Sequence, residues 1–144
     1  MRSIRVLLVD DNLQFLRSTV SLLSKEPQAK VVGEARSGAE ALRKFKELTP
    51  DLVLMDLVMP EMNGLEATRR IKTGNVPTRI IILTLYDNAE YRKAALDVGA
   101  DGFVAKAEAG TQLCQLICEL FKGSEHSVAL RQQVHDEVLD SRST

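Results

Sequence analysis

Polar residues of unlike chemistry stand where strand-like apolar runs stop. Asp10 and Asp11 follow Ile4-Arg5-Val6-Leu7-Leu8-Val9, Asp56 follows Leu52-Val53-Leu54-Met55, Thr84 follows Ile80-Ile81-Ile82-Leu83, and Lys106 follows Gly102-Phe103-Val104-Ala105. In a parallel α/β sheet the carboxyl ends of the strands open on one crevice, so residues far apart in sequence meet there. Three carboxylates, a hydroxyl and an ammonium in one pocket suit a hard divalent cation and a phosphoryl group, since Mg²⁺ takes oxygen ligands and Lys and Thr can hold phosphate oxygens. Each residue also has an ordinary reading. An Asp at a strand-to-helix junction caps the helix, Lys106 alone is a surface lysine at a strand end, and Thr84 alone is a β-branched strand residue. Two adjacent acids exceed the need for a cap, because a second carboxylate at about 4 Å adds repulsion of a few kcal/mol at an effective dielectric of about 20. A cation relieves that repulsion. With the acids screened in this way, Asp56 is placed to attack a phosphoryl donor and form an acyl phosphate, while Lys106 and Thr84 hold the equatorial oxygens.

Elements that could position such a cluster are legible in the hydropathy pattern. Short apolar runs alternate with segments of helical period, which predicts repeated βα units and a parallel sheet. The expected strands are Ile4–Val9 (β1), Val31–Ala35 (β2), Leu52–Asp56 (β3), Arg79–Leu83 (β4) and Gly102–Ala105 (β5). The first, third and fourth are nearly continuous in Val, Leu, Ile and Met, as central strands covered on both faces should be. The expected helices are Asn12 to Lys25 (α1, with an inward stripe of Leu13, Leu16, Val20 and Leu23), Gly38 to Leu48 (α2, with Ala41, Leu42 and Phe45), Leu65 to Lys72 (α3), Asn88 to Val98 (α4) and Ala109 to Phe121 (α5, with Leu113, Leu116, Ile117 and Leu120). Pro27 and Pro50 punctuate the ends of the first two. Gly123-Ser124-Glu125-His126 breaks the pattern, and Ser127 to Asp140 reads either as an exposed tail or as a weakly amphipathic, partner-facing helix.

The 144 residues fit one domain with a modest tail, and the formal net charge of −1 gives no footprint for nucleic acid or an anionic membrane. The amino terminus is neither a signal peptide nor a spanning segment, which predicts a cytoplasmic protein. Cys114 and Cys118, four apart in a helical pattern, are expected to be buried or half-buried thiols rather than a metal or redox pair.

The runs Val6-Leu7-Leu8-Val9-Asp10-Asp11, Asp56-Leu57-Val58-Met59-Pro60-Glu61-Met62-Asn63-Gly64, Ile82-Leu83-Thr84 and Gly99-Ala100-Asp101-Gly102-Phe103-Val104-Ala105-Lys106 together resemble the receiver domain of two-component response regulators, in order and spacing, over about the first 122 residues. The phenylalanine and the lysine without a following proline resemble the NarL/FixJ type. The resemblance implies a single doubly wound (βα)5 flavodoxin-like α/β domain with a five-stranded parallel sheet of order 2-1-3-4-5, residues 1–122 forming the receiver and 123–144 a linker or C-terminal helix with no complete output domain. It implies that Asp56 is the phosphoacceptor for a sensor histidine kinase and that Mg²⁺ is held by Asp11, Asp56 and the backbone carbonyl of Val58, with Asp10 reaching it through water. Thr84 and Phe103 match the family's switch pair, and the face made by α4, β5 and α5 is the expected site of homodimerisation or output. Such a chain is a signalling domain and not an enzyme. DNA would be reached only through a helix-turn-helix domain absent from this sequence; the alternative is a stand-alone receiver acting through a protein partner.

Two departures carry expectations. Ala107 follows Lys106 where most receivers have a cis proline, so a trans bond is expected, because cis before Ala costs about 2.5–4 kcal/mol. Leu85 follows Thr84 where many receivers carry a small residue, and its bulk is expected to narrow the path of water to the phosphoryl group. Rival readings fit less well. A haloacid-dehalogenase-like phosphatase needs a second Asp two residues after the nucleophile, where Val58 stands. A flavodoxin-like cofactor module needs a Gly/Ser/Thr-rich loop after β1, where Asp10-Asp11-Asn12 stand. A docking scaffold without chemistry would be expected to have an incomplete acid cluster.

Overall fold

The apolar runs pair into one parallel sheet in a computed structural model that describes residues 3–122. Along the chain the elements are β1 (Ile4–Val9), α1 (Leu13–Leu23), β2 (Ala29–Ala35), α2 (Gly38–Leu48), β3 (Leu52–Met55), α3 (Gly64–Lys72), β4 (Arg79–Thr84), α4 (Ala89–Asp97), β5 (Gly102–Ala105), a short 3₁₀ turn (Lys106–Glu108) and α5 (Ala109–Leu120). The strand order is β2-β1-β3-β4-β5, which places the three most apolar strands in the middle as their composition requires. The linker and helix expected after residue 122 lie outside the described residues.

Side-chain alternation along the strands builds two cores. Ile4, Val6, Leu8, Leu52, Leu54, Ile81, Leu83 and Val104 face α1 and α5, meeting Leu16, Leu23, Leu113 and Ile117. Leu7, Val9, Val53, Met55, Ile80 and Ile82 face the other way, onto Ala41 of α2, Ala67 and Ile71 of α3 and Ala95 of α4. Helices on both faces are the doubly wound arrangement, and each fully buried Leu, Ile or Val contributes roughly 1.5–3 kcal/mol of transfer free energy. Cys114 is half-buried and Cys118 buried on the α5 side, and no disulfide joins them.

Register aligns the strand ends. Val9 pairs with Ala35 on one side and Met55 on the other, Met55 with Ile82, and Thr84 with Ala105. The residues that follow Val9 and Met55 are therefore neighbours at the carboxyl edge, and the amide of Asp56 donates to the carbonyl of Val9 at 2.9 Å.

Several boundaries differ from the sequence expectation, each for a local reason. Asp56 is outside β3, whose ladder ends at Met55, whereas Thr84 is the last residue inside β4 because it still pairs with Ala105. β2 starts two residues early, at Ala29, which pairs with Ile4. Asn12 and Asn88 are caps rather than first helical residues: their side chains accept from the amides of Phe15 and Tyr91, and Asn63 and Ser37 do the same for Glu66 and Glu40. Leu13, expected in the inward stripe of α1, is 39% exposed, and the buried stripe runs instead through Leu16, Thr19 and Leu23. The Lys106–Ala107 bond is trans, and the chain runs from it through the 3₁₀ turn directly into α5.

Candidate functional site

With the helix termini capped by Asn12, Ser37, Asn63 and Asn88, the strand-end acids are not needed as N-caps. Asp10 does a smaller local task, one oxygen accepting from the amide of Asn12 at 2.9 Å, which shapes the turn into α1. Its other oxygen faces the crevice. Carboxylate oxygens of Asp10, Asp11 and Asp56 lie within 4.8 Å of one another, with Asp10 and Asp56 buried and Asp11 more open to solvent. Arg36 holds the Asp11 backbone from the side, its guanidinium donating to the Asp11 carbonyl at 3.0 Å.

Lys106 enters this cluster from the end of β5. Its ammonium is 2.7 Å from Asp10 Oδ2 and 3.4 Å from Asp56 Oδ1, and the three side chains are only 6%, 5% and 7% exposed. On its remaining side the ammonium sits 4.3 Å from the centroid of the Phe15 ring, a cation–π contact supplied by α1. One cation thus faces two buried acids with a third nearby. The Asp56 carboxyl is pushed up to about 7, first by burial and then by the negative charge of Asp10, with Asp11 adding a little; Lys106 opposes this without cancelling it. A site short of positive charge and lined by hard oxygen donors fits a divalent cation such as Mg²⁺, whose charge would hold all three acids ionised.

The loop from Asp56 to Gly64 is fastened so that the acid cannot drift. Leu57 and Met59 are buried while Val58 between them is exposed, and the amide of Gly64 donates to the carbonyl of Leu57 at 2.8 Å. A Cβ on Gly64 would fall 2.0 Å from the carbonyl oxygen of Asp56, so no other residue lets α3 begin so close to the acid. Thr84, fully buried, accepts from the amide of Tyr86 at 3.1 Å. Its pairing with Ala105 sets it beside the strand end that carries Lys106.

Asp10, Asp11, Asp56 and Lys106 therefore meet as the sequence predicts, Thr84 lines the same edge, and Val58 follows Asp56 by two residues in the loop. Phe103 is elsewhere. It pairs with Ile82 two residues before Thr84, packs partly against the second core, and carries the Arg92 guanidinium 4.7 Å above its ring. Sequence reasoning passed over Phe15, and it placed Arg92 with Tyr91 on the face expected to change without foreseeing its contact with Phe103. An aromatic three residues after a helix cap was the available signal for Phe15, because that spacing turns it back toward the strand end.

Residues 6–118 match the response regulator receiver domain family. The chain belongs to that family. It is 40% identical over 116 residues to the response regulator protein VraR of Staphylococcus saprophyticus, covering 79% of this chain and 54% of that protein. It is also 40% identical over 137 residues to a protein-glutamate methylesterase/protein-glutamine glutaminase of Geobacillus kaustophilus, covering 90% of this chain and 39% of that one. The receiver thus spans about half or less of the length of these curated relatives. Among solved structures, the signal receiver domain of the putative response regulator NarL from Mycobacterium tuberculosis superposes with a TM-score of 0.80 at 32% identity, over 85% of this chain and 99% of that one. A two-component response regulator of the LuxR family from Aurantimonas gives the same score at 33% identity, over 95% and 99%. The fold is the flavodoxin-like receiver fold, and the similarities support the NarL/FixJ type. No described helix is long and apolar enough to cross a membrane.

Proposed function

We propose that this receiver takes a phosphoryl group onto Asp56 from the phosphohistidine of a sensor histidine kinase. The observation that carries the reading is the ammonium of Lys106 between two buried acids that register brings side by side. A carboxylate oxygen of Asp56 forms the new bond to phosphorus as the bond to the donor's imidazole nitrogen breaks, and that nitrogen keeps the electron pair and takes a proton. Mg²⁺ held by Asp10, Asp11, Asp56 and the Val58 carbonyl would supply charge against the phosphoryl oxygens during transfer. Lys106 exchanges its carboxylate partner for a phosphoryl oxygen, and the Thr84 hydroxyl donates to another. The result is a doubly anionic group in a partly desolvated pocket, which favours whichever backbone arrangement brings Thr84 and Lys106 closest.

The readout is the face of α4, β5 and α5, with Phe103 turning inward as Thr84 moves. That face is where a second copy or an output partner binds. Residues 1–122 act as the receiver. Likeness to the LuxR-family regulator favours a cytoplasmic transcription regulator whose DNA-binding part lies outside this sequence over a receiver that works alone through a protein partner. The chain itself catalyses only its own phosphorylation and dephosphorylation.

Incubation with acetyl phosphate and Mg²⁺ tests the reading by intact mass. The wild type gains one phosphoryl group and Asp56→Asn gains none; equal modification of both overturns it. Gel filtration of the same samples shows whether phosphorylation changes the oligomeric state, and Thr84→Ala accepts phosphate without that change.

A further inference from the structure

Phe103 has no hydroxyl with which to hold either of its positions, so its placement depends on what covers the ring. Arg92 covers it, with the guanidinium carbon 4.7 Å from the ring centroid. That guanidinium is not free to wander: its Nε donates to Asp87 Oδ1 at 2.6 Å. Asp87 belongs to the β4–α4 loop, whose first residues are tied to Thr84 by the Tyr86 amide. The Tyr86 ring then leans on Tyr91, with centroids 6.0 Å apart, and the Tyr91 amide is held by the Asn88 cap. A closed circuit therefore runs from the Thr84 hydroxyl through the loop to Asp87, across to Arg92, onto Phe103 and back along the sheet. Beside the ring, which packs on its other side against the second core, lies a groove of about 270 Å³ bounded by Arg92, Ala95, Leu96, Ala100 and Gly102.

We infer that Arg92, anchored by Asp87, is a positioning residue that latches Phe103 in its half-buried position under the guanidinium in the unphosphorylated receiver. The inference rests on the phosphoacceptor reading. When the Thr84 hydroxyl turns to a phosphoryl oxygen it draws away from the Tyr86 amide, the loop carrying Asp87 shifts, and the guanidinium loses its hold on the ring. A positive charge over an aromatic face stabilises the half-buried position without any contact to the reacting atoms, so removing it favours the activated state.

The sign of this effect separates a latch from a merely structural side chain, whose loss would weaken activation. The protein has two tyrosines, both in this circuit, and no tryptophan, so intrinsic fluorescence reports on the loop and the first turn of α4. Titration with beryllofluoride in Mg²⁺, followed by tyrosine fluorescence, is expected to show Arg92→Met binding about three- to fivefold more tightly than wild type, the size of an exposed cation–π contact. Arg92→Lys keeps the charge and stays near wild type. Asp87→Asn shifts affinity in the same direction as Arg92→Met, and the double variant goes no further than Arg92→Met alone. An Arg92→Met protein that melts as wild type but binds beryllofluoride equally or more weakly overturns the latch. A wild type that acetyl phosphate labels at Asp56 but whose tyrosine fluorescence does not respond also overturns the latch, whereas a wild type that takes no label overturns the phosphoacceptor reading beneath it.

Discussion

Lys106 closes a 2.7 Å ion pair on Asp10, while Asp56 stands farther from the same ammonium, at 3.4 Å. The lysine thus serves the metal-free receiver by neutralising the acid that is not the proposed nucleophile. Asp56 is left buried with the longer of the two contacts to the ammonium, and its carboxyl is pushed up to about 7.

That imbalance has a pH signature. An acid whose folded-state value is raised keeps a proton that the unfolded chain releases, so the metal-free protein loses stability as pH rises from about 4 to about 7, and the loss is then complete. Its size is bounded at about 4 kcal/mol, with relaxation of the site reducing it. Asp56→Asn removes this dependence. Thermal melts in a chelator should show the variant near wild type at pH 4 and clearly more stable at pH 8. Mg²⁺ affinity of the wild type, measured calorimetrically, should fall as pH drops below about 7, because the cation must displace that proton.

Removing the cation should do the opposite. Lys106→Met leaves Asp10 and Asp56 facing each other in a buried pocket, with protonation of Asp56 absorbing part of the cost, so the metal-free variant should lose about 1–3 kcal/mol. Added Mg²⁺ should recover more stability in the variant than in wild type. Urea titrations with and without Mg²⁺ measure both, and equal gains would count against direct competition between ammonium and metal.

Leu85 is 72% exposed immediately after Thr84, at the rim of the crevice rather than packed away. Leu85→Ala is expected to shorten the half-life of the aspartyl phosphate by opening the approach of water. An unchanged half-life would remove Leu85 from the account.

Thr68 lies on α3, fully buried, with a hydroxyl that finds no hydrogen-bond partner among the described residues. Thr68→Val keeps the shape and deletes the unpaired group, so it should raise stability by about 1 kcal/mol, or roughly 4 °C in Tm. A lower melting temperature would mean that the hydroxyl is satisfied in solution.

The strand ends were legible because each apolar run stops at a polar residue, and a buried parallel strand cannot continue through Asp10, Asp56 or Lys106. Helix starts were less so. Asn12 and Asn88 fit a helical pattern as well as a cap, and the distinction is made by side-chain hydrogen bonds that period alone does not contain. Leu13 shows another limit: a stripe of apolar residues identifies a face only roughly, and the face that α1 buries includes Thr19, which hydropathy alone does not mark, and leaves Leu13 exposed. The contacts of Phe15 with Lys106 and of Arg92 with Phe103 depend on which helix crosses which strand end, and only the folded chain reveals that.

Borohydride reduction after treatment with acetyl phosphate and Mg²⁺, followed by peptide mass spectrometry, locates the modified acid directly, since an acyl phosphate on aspartate is reduced to homoserine. Homoserine at position 56 and at no other acid is the predicted result. Homoserine at position 10 or 11, or at none of the three, would contradict the account.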